Sequence, residues 1–258
     1  MAADRAPATV HAAVDGHVGL LELDAPPLNL LTDPLRAALL DALADFRARG
    51  VRAVVLTGRG RAFCAGADLK DEAKLTPESV RAFCEADEAV FGALADYPGG
   101  VIAAVNGYAY GGGFELALAC DVRLAARAAT LAGVGVTIGL VVGSARLSRL
   151  AGEAVAKDLL LSGRPVAAEE ALDLGLVSKV VEDGALAAEA REWAATIASR
   201  APLSVRANKV ALRHCDGTPL REAVVYERGE WARLQRTADH AEALRAFFEK
   251  RPPEFTAR

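Results

Sequence analysis

Several patterns that mark common classes of protein are missing from this sequence. None of its four cysteines has the C-x-x-C or Cys/His spacing of a structural zinc site. The cysteines lie far apart in the chain, at Cys64, Cys84, Cys120 and Cys215. The four histidines are also isolated, with no nucleophile at motif spacing. We therefore expect reduced, unpaired thiols, no metal site and no catalytic pair of the Ser-His or Cys-His type.

The sequence also lacks an excess of positive charge and a long apolar run. Its formal net charge at pH 7 is −4, so no general basic field favours nucleic acid as a partner. No segment reaches the ~18 uninterrupted apolar residues of a membrane span. Residues 1–7 contain an acid and a proline in place of the apolar core of a signal peptide. The sequence predicts a soluble, cytoplasmic protein with no membrane partner.

The composition is that of a globular protein with a large core. Hydrophobic residues make up 52% of the chain, which suits one large domain or one domain with a helical appendage. Apolar runs of strand length alternate with segments of helical periodicity, and no internal repeat or low-complexity linker interrupts them. This alternation predicts an α/β architecture with crossover connections and a sheet covered by helices.

The predicted elements follow a rhythm of strand, loop and helix. A hairpin over residues 9–23 turns at Asp15-Gly16, and a helix over residues 33–49 begins with Asp33 as its cap. Two further strands are predicted, over residues 52–57 and 101–105. Further helices are predicted over residues 77–94, 114–120, 187–199, 204–212, 220–236 and 241–250. The helical C-terminal part is expected to begin near residue 200.

Two glycine-rich stretches, residues 61–68 and 106–115, each follow an apolar run that reads as a buried strand. Such loops leave backbone N–H groups open at the mouth of a sheet, as an oxyanion hole requires. The triple glycine at 111–113 has neither the Lys-Ser or Lys-Thr of a phosphate-binding loop nor the G-x-G-x-x-G spacing of a dinucleotide site. It therefore indicates a helix N-terminus with free N–H groups. Close backbone packing is the alternative explanation for the glycines.

With these motifs the sequence resembles the crotonase superfamily, the enoyl-CoA hydratase/isomerase proteins, over essentially the whole chain. The similar segments are residues 27–31, 60–69, 102–107, 111–117, 120–123, 171–177 and 243–251. The resemblance implies a crotonase-type spiral of ββα units, with residues 1–200 as the acyl-CoA-binding core. Residues 201–258 are then a helical region that packs against neighbouring subunits in a homotrimer or a dimer of trimers. No cofactor is implied beyond the coenzyme A moiety of the substrate.

The resemblance also assigns roles to residues of the two glycine-rich loops. The backbone N–H groups of Ala67 and Gly112 would bind the thioester carbonyl and stabilise the negative oxygen of an enolate. The loop that lines the adenine pocket would consist of Ala65, Gly66, Asp68, Leu69 and Lys70. Lys70 and the C-terminal Lys250 and Arg251 are either contacts for the phosphates of CoA or ordinary solvated side chains.

Glu115 occupies the position of one of the two glutamates with which family hydratases hold a water. The alternative is a polar residue in a first helical turn, where the helix dipole favours acids. The second glutamate is where the sequence departs from the family, because a gapless reading places Gly135 at its position. The proline and paired glycines of the following loop are replaced by Val142, Ala145 and Arg146. Four residues are candidate substitutes for the missing acid, or else serve packing and solvation: Tyr108, Tyr110, Asp71 and Glu72.

This departure shapes the expected function. We expect an acyl-CoA enzyme with isomerase- or decarboxylase-like chemistry more than efficient hydration, since hydration loses one of its two carboxyl groups. The alternative is a non-catalytic acyl-CoA-binding protein on the same fold. An apolar acyl chain is expected in a pocket opened by Gly135 and bordered by Val134, Val136, Ile138, Val141 and Val142.

Overall fold

The computed structural model describes residues 8–258. Residues 1–7, on which part of the signal-peptide expectation rests, lie outside the described residues. The strands are β1 Thr9–Asp15, β2 Val18–Asp24, β3 Ala53–Gly58, β4 Ala62–Cys64, β5 Gly100–Val105, β6 Tyr108–Tyr110, β7 Val122–Ala126, β8 Thr130–Ala132, β9 Val166–Ala167 and β10 Lys179–Val181. The α-helices are α1 Asp33–Ala48, α2 Leu69–Glu72, α3 Val80–Ala95, α4 Gly112–Ala119, α5 Ser144–Ser162, α6 Ala168–Asp173, α7 Leu186–Ala198, α8 Pro202–Cys215, α9 Leu220–Leu234 and α10 Ala238–Glu249. Val134–Ile138 and Asp183–Ala185 form short 3₁₀ helices.

The strands of the described residues form two sheets, one of six strands and one of four. The larger has the order β1-β2-β3-β5-β7-β10, and all of its pairings are parallel except the β1-β2 hairpin. The smaller has the order β4-β6-β8-β9, with parallel pairing from β4 to β8. Successive segments therefore add one strand to each sheet before a helix returns the chain. This confirms the predicted α/β fold with crossover connections.

The central strands are buried because helices cover the larger sheet. All six residues of β5 are buried, and α7 packs across β5, β3 and β2. Strands that are covered in this way have continuous apolar sequences, as β3 and β5 do. The largest fully buried side chains include Phe46, Phe63 and Phe114. Two of these phenylalanines, Phe63 and Phe114, lie within the glycine-rich motifs, so the core anchors both loops.

Several helix boundaries differ from the predictions, and α8 and α10 begin earlier than predicted, at Pro202 and Ala238. Thr32, not Asp33, is the N-cap of α1, because Thr32 has extended backbone angles (φ −86°, ψ 160°). Asp33 already lies within the helix, where its carboxylate accepts a hydrogen bond from Arg36 Nη1 at 2.9 Å. Helix α3 begins at Val80, because Thr76 and Ser79 form a side-chain turn before it. Helix α5 is not among the predicted helices; it is kinked at Gly152, which has φ of 82°.

The C-terminal third of the chain is almost wholly helical, as predicted, and α8 begins at Pro202. Lys209 on α8 forms an ion pair with Asp121 at 2.7 Å, and Arg52 donates a hydrogen bond to the carbonyl of Phe255 at 2.7 Å. These contacts tie the helical region to the rest of the chain. The division at residue 200 and the role of the region in trimerisation stay predictions. Among the described residues, no helix combines the length and apolar character needed to span a membrane.

Candidate active site

The two glycine-rich loops meet at one edge of the smaller sheet. Strands β4 and β6 pair in parallel, so the segments that leave their carboxyl ends lie side by side. A Cβ atom on Gly113 would lie 1.8 Å from the carbonyl oxygen of Cys64, which only glycine permits. Gly66 has φ of 87°, and a Cβ on it would lie 2.9 Å from the backbone nitrogen of Gly112. The glycines therefore serve close approach of the two loops, one of the two readings of the sequence.

This close approach brings together the backbone N–H groups of Ala67 and Gly112. A Cβ on Gly112 would lie 3.8 Å from the nitrogen of Ala67. Gly112 is the first residue of α4, so its N–H has no partner within the helix. Neither N–H donates a hydrogen bond to any residue of the described part of the chain. Two adjacent donors are thus available for an oxygen atom of a ligand.

A buried asparagine in the segment 27–31 holds the first loop in place. The Asn29 amide donates hydrogen bonds to the carbonyls of Ala62 at 2.8 Å and Phe63 at 3.3 Å. Its Oδ1 accepts the N–H of Ala25 at 2.9 Å, and Leu31 donates its N–H to Gly66 at 2.9 Å. This gives a structural reason for the sequence similarity at 27–31, which carries no chemistry of its own.

The loop predicted to line an adenine pocket, which includes Ala65, is held by a hydrogen bond to the Asp68 side chain. Asp68 caps α2 by accepting the N–H of Lys70 at 2.9 Å. Leu69 and Lys70 are exposed beside it. Near the C-terminus, Arg251 forms an ion pair with Glu242, with 2.6 Å between Arg251 Nη1 and Glu242 Oε1.

Glu115 lies in the first turn of α4, two residues after the triple glycine. Its side chain is 23% exposed, and its Oε1 accepts the N–H of Gly143 at 2.9 Å. Burial raises the pKa of the carboxyl, while the Gly143 hydrogen bond and the positive charge of Arg146 oppose that rise. Glu115 Oε2 has no hydrogen bond within the described chain. One oxygen is therefore held and the other is available for proton exchange.

Gly135 is buried in the 3₁₀ helix Val134–Ile138, and the loop that follows this helix packs closely against it. Leu140 donates its N–H to the Gly135 carbonyl at 2.8 Å. A Cβ on Gly135 would lie 2.6 Å from Val142 Cγ2 and 2.8 Å from the carbonyl oxygen of Leu140. The second of these contacts is with backbone, so a side chain at this position would require the loop to move.

We expect Gly135→Ala to lower the free energy of unfolding by about 1–3 kcal/mol, the usual cost of overpacking a filled site. The reason is the backbone contact, which no rotamer change can relieve. Chemical denaturation checks this result. Gly184→Ala is the matched control, since a Cβ on Gly184 meets nothing within 4 Å. Equal stability of the two variants would show that the loop is not closed around Gly135.

An apolar cavity of about 460 Å³ adjoins this loop. Its walls include Val136, Val141 and Val142, three of the five apolar residues expected to border an acyl pocket. Val134 and Ile138 are not among its lining residues. The cavity also touches Ser144 and Ala145, which follow Gly143, the partner of Glu115. Ser144 and Ala145 are thus chain neighbours of the residue that contacts Glu115, while Ala67, Gly112 and Glu115 are not among the residues that line the cavity.

Three of the four candidate substitutes for a second acid have contacts elsewhere. The Tyr110 hydroxyl lies 3.1 Å from Thr130 Oγ1, and the Tyr108 ring packs edge-on against Tyr110. Asp71 forms an ion pair with Lys74 at 2.7 Å, and Glu72 is partly exposed on α2. The tyrosines therefore make packing contacts, and Asp71 forms a surface ion pair.

Two neighbours of Glu115 were not predicted as site residues, Gly143 and Arg146. Gly143 reaches Glu115 through its backbone N–H, which every residue except proline has. Arg146 was noted in the sequence only as a replacement for a glycine, yet its Nη1 lies 3.9 Å from Glu115 Oε1. The replacement of a family glycine by Arg146 is the one feature of the sequence that could have indicated this contact.

Comparison with known proteins shows one family over almost the whole chain. A family model described as Enoyl-CoA hydratase/isomerase matches residues 14–258. A putative enoyl-CoA hydratase from Thermus thermophilus is 42% identical over 248 residues, 93% of this chain and 98% of the relative. An (E)-benzylidenesuccinyl-CoA hydratase from Thauera aromatica is 38% identical, over 94% of this chain and 96% of the relative. The crystal structure of an enoyl-CoA hydratase from Bacillus anthracis has 36% identity and a TM-score of 0.92, and covers 98% of this chain and 100% of that chain.

The architecture is therefore that of the crotonase fold, which the sequence predicted. The chain belongs to the enoyl-CoA hydratase/isomerase family of acyl-CoA enzymes.

Proposed function

We propose that the N–H groups of Ala67 and Gly112 form an oxyanion hole for the carbonyl oxygen of an acyl-CoA thioester. The observation that carries this proposal is the pair of unpartnered donors on two closely packed loops. When the α carbon loses a proton, or loses its carboxylate group as CO₂, the bonding electron pair stays behind and the thioester becomes an enolate with negative charge on that oxygen. Two preorganised donors stabilise this charge more than they stabilise the neutral carbonyl.

Glu115 is the acid or base that moves a proton at the acyl carbons. Its partial burial and its free Oε2 suit that role. Gly135 stands at the position of the second hydratase glutamate, and the closed loop leaves no room for a longer side chain there. A single carboxyl group can carry a proton from one carbon to another, or protonate an enolate formed by loss of CO₂. Isomerase- or decarboxylase-like chemistry is therefore favoured over efficient hydration.

The rest of the ligand follows from the same assignment. The loop of Ala65, Gly66, Asp68, Leu69 and Lys70 would meet the adenine of coenzyme A. The cavity lined by Val136, Val141 and Val142 suits an apolar acyl chain. No cofactor is needed beyond the coenzyme A moiety, because neither enolate chemistry nor proton transfer requires a change of redox state.

A homotrimer or a dimer of trimers is part of the proposal. Its support is a set of large apolar side chains left exposed on α9 and α10. They include Leu220, Val225, Trp231, Leu244, Phe247 and Phe248. Exposed apolar surface of this kind marks subunit contacts in many proteins.

The test is a comparison of three thioesters at saturating concentration. Crotonyl-CoA reports hydration, a 3-enoyl-CoA reports isomerisation, and a malonyl-type CoA reports decarboxylation. We expect turnover of the second or third ester to exceed hydration. Hydration faster than both would contradict the preference drawn from Gly135.

The second candidate function is acyl-CoA binding without catalysis, which the absence of a glutamate at position 135 favours. It predicts no turnover of any of the three esters together with micromolar binding of a fatty acyl-CoA. Isothermal titration with a non-reactive acyl-CoA separates this outcome from a protein that binds no CoA ester. Binding without turnover would replace the enzymatic proposal.

A further inference from the structure

Arg146 connects two carboxyl groups on different helices. It lies in the first turn of α5, and its Nη2 donates to both carboxylate oxygens of Glu88 on α3, at 2.8 and 3.0 Å. Its Nη1 lies 3.9 Å from Glu115 Oε1. The guanidinium also lies over the ring of Phe91, 5.2 Å from its centre. Glu88 and Phe91 thus fix the position of the charge that faces Glu115.

We propose that Arg146 is a positioning residue for Glu115. Clamped by Glu88 and Phe91, it keeps Oε1 against the N–H of Gly143 and leaves Oε2 to exchange the proton with the substrate. The proposal rests on the proposed function, since it assumes that Glu115 moves a proton at the acyl carbons.

The contacts of Glu115 are divided between its two oxygens. Oε1 accepts the Gly143 N–H at 2.9 Å and faces Arg146, and both of these groups come from the start of α5. Oε2 has no hydrogen bond within the described chain. One short segment therefore restrains one oxygen of the carboxyl group, and this restraint sets the direction of the other.

Among the charged groups that act on Glu115, Arg146 supplies the positive charge. Helix α3 presents two acids, Asp87 and Glu88, both of which oppose ionisation of Glu115. Asp87 is paired with Arg36 of α1 at 2.8 Å, whereas Glu88 is paired with Arg146. Loss of the arginine therefore removes an attraction and also uncovers a like charge. Both effects disfavour the ionised form of Glu115.

Partial burial of both side chains separates the Arg146–Glu115 contact from the surface pairs of the same chain, whereas Glu88, the other partner of Arg146, is 64% exposed. The Arg146 side chain is 26% exposed, while the next arginine on α5, Arg149, is 65% exposed and pairs with Asp216. Exposed pairs of the second kind contribute little, because water and salt screen them. Arg149→Gln is therefore a matched control, on the same helix and with the same change in charge.

The test compares Arg146→Gln, Arg146→Lys and Arg149→Gln by the pH dependence of kcat/KM on whichever thioester is turned over. We expect Arg146→Gln to move the inflection due to Glu115 upward by about one pH unit or more, because the ionised carboxylate loses its cation. Arg146→Lys should give a smaller shift, since lysine keeps the charge but not the planar contacts. Arg149→Gln should leave the inflection in place.

An unmoved inflection in Arg146→Gln would overturn the proposal, even if the rate fell equally at every pH. Such a uniform loss is what a purely structural role predicts. If no ester is turned over, ¹³C NMR titration of the Glu115 carboxyl, assigned with Glu115→Gln, measures the same shift in the intact protein. There too, an unchanged titration midpoint would count against the positioning role.

Failure of this inference is distinguishable from failure of the proposed function. If Glu115→Gln leaves turnover intact, the catalytic assignment of Glu115 is wrong and the proposed function fails with it. If Glu115→Gln is inactive while Arg146→Gln keeps the wild-type pH profile, the positioning role alone is wrong.

Discussion

Replacing Glu115 with glutamine is expected to lower turnover of the preferred thioester by about 10²–10⁴-fold, the usual contribution of a general acid or base. Glutamine has nearly the same size, and its amide oxygen can still accept the Gly143 N–H that now lies 2.9 Å from Oε1. The variant loses the ability to exchange a proton at Oε2. Steady-state kinetics and acyl-CoA titration together measure the effect, and binding should remain within a few fold.

Glu222→Gln is the matched control for this substitution. Glu222 is also an acid in the first turn of a helix, α9, but it is exposed. Its replacement removes a similar favourable interaction with a helix dipole without touching the site. A Glu115→Gln variant as active as Glu222→Gln would show that Glu115 is only a helix-start acid, the alternative reading of the sequence.

Replacing Gly112 with proline is expected to lower turnover by about 10²–10³-fold, the cost of losing one oxyanion donor. Proline has no backbone N–H, and Gly112 is the first residue of α4, where proline is well tolerated. The helix should therefore form while the proposed hole loses one of its two donors. The loss should fall mainly on kcat, since the developing negative charge needs the donor more than the neutral carbonyl does.

Gly112→Ala separates the missing donor from the added volume. A Cβ at this position meets Leu31 Cδ1 at 3.2 Å, so the buried Leu31 side chain has to move by a few tenths of an ångström in both variants. Both variants carry that Cβ, but only alanine keeps the N–H. Equal activity of the alanine and proline variants would refute the role of Gly112 in the oxyanion hole, and thermal unfolding of both confirms that the comparison is between folded proteins.

Local patterns were sufficient to predict four of the ten strands and seven of the ten α-helices in the described part of the chain. The β1-β2 hairpin turns just after Asp15, as the Asp-Gly dipeptide predicted, and β5 and α7 begin within one residue of their predicted starts. These elements depend on periodicity and turn chemistry that neighbouring residues carry. Helix α5 was not predicted, because a kink at Gly152 divides it and its sequence was interpreted as part of an altered loop.

The candidate site was predictable only in part. The two glycine motifs and Glu115 could be named from the sequence because each lies on a short continuous segment. The surroundings of Glu115 could not be derived in the same way. Glu88 and Arg146 are 58 residues apart in the chain, and Gly143 acts through a backbone group that its residue type does not reveal.

The sequence by itself determined the family, the alternation of strands and helices, and the absence of an acid at position 135. These features follow from residue identity and from spacing along the chain. The tertiary structure decided that the loops of Ala67 and Gly112 approach closely, that the loop after Gly135 is closed, and that Arg146 faces Glu115. Most of these contacts join residues that are distant in the chain, and they form only when α3, α4 and α5 pack together. Packing sets the distance and burial of each group, and these determine how strongly charges and hydrogen bonds act at the site.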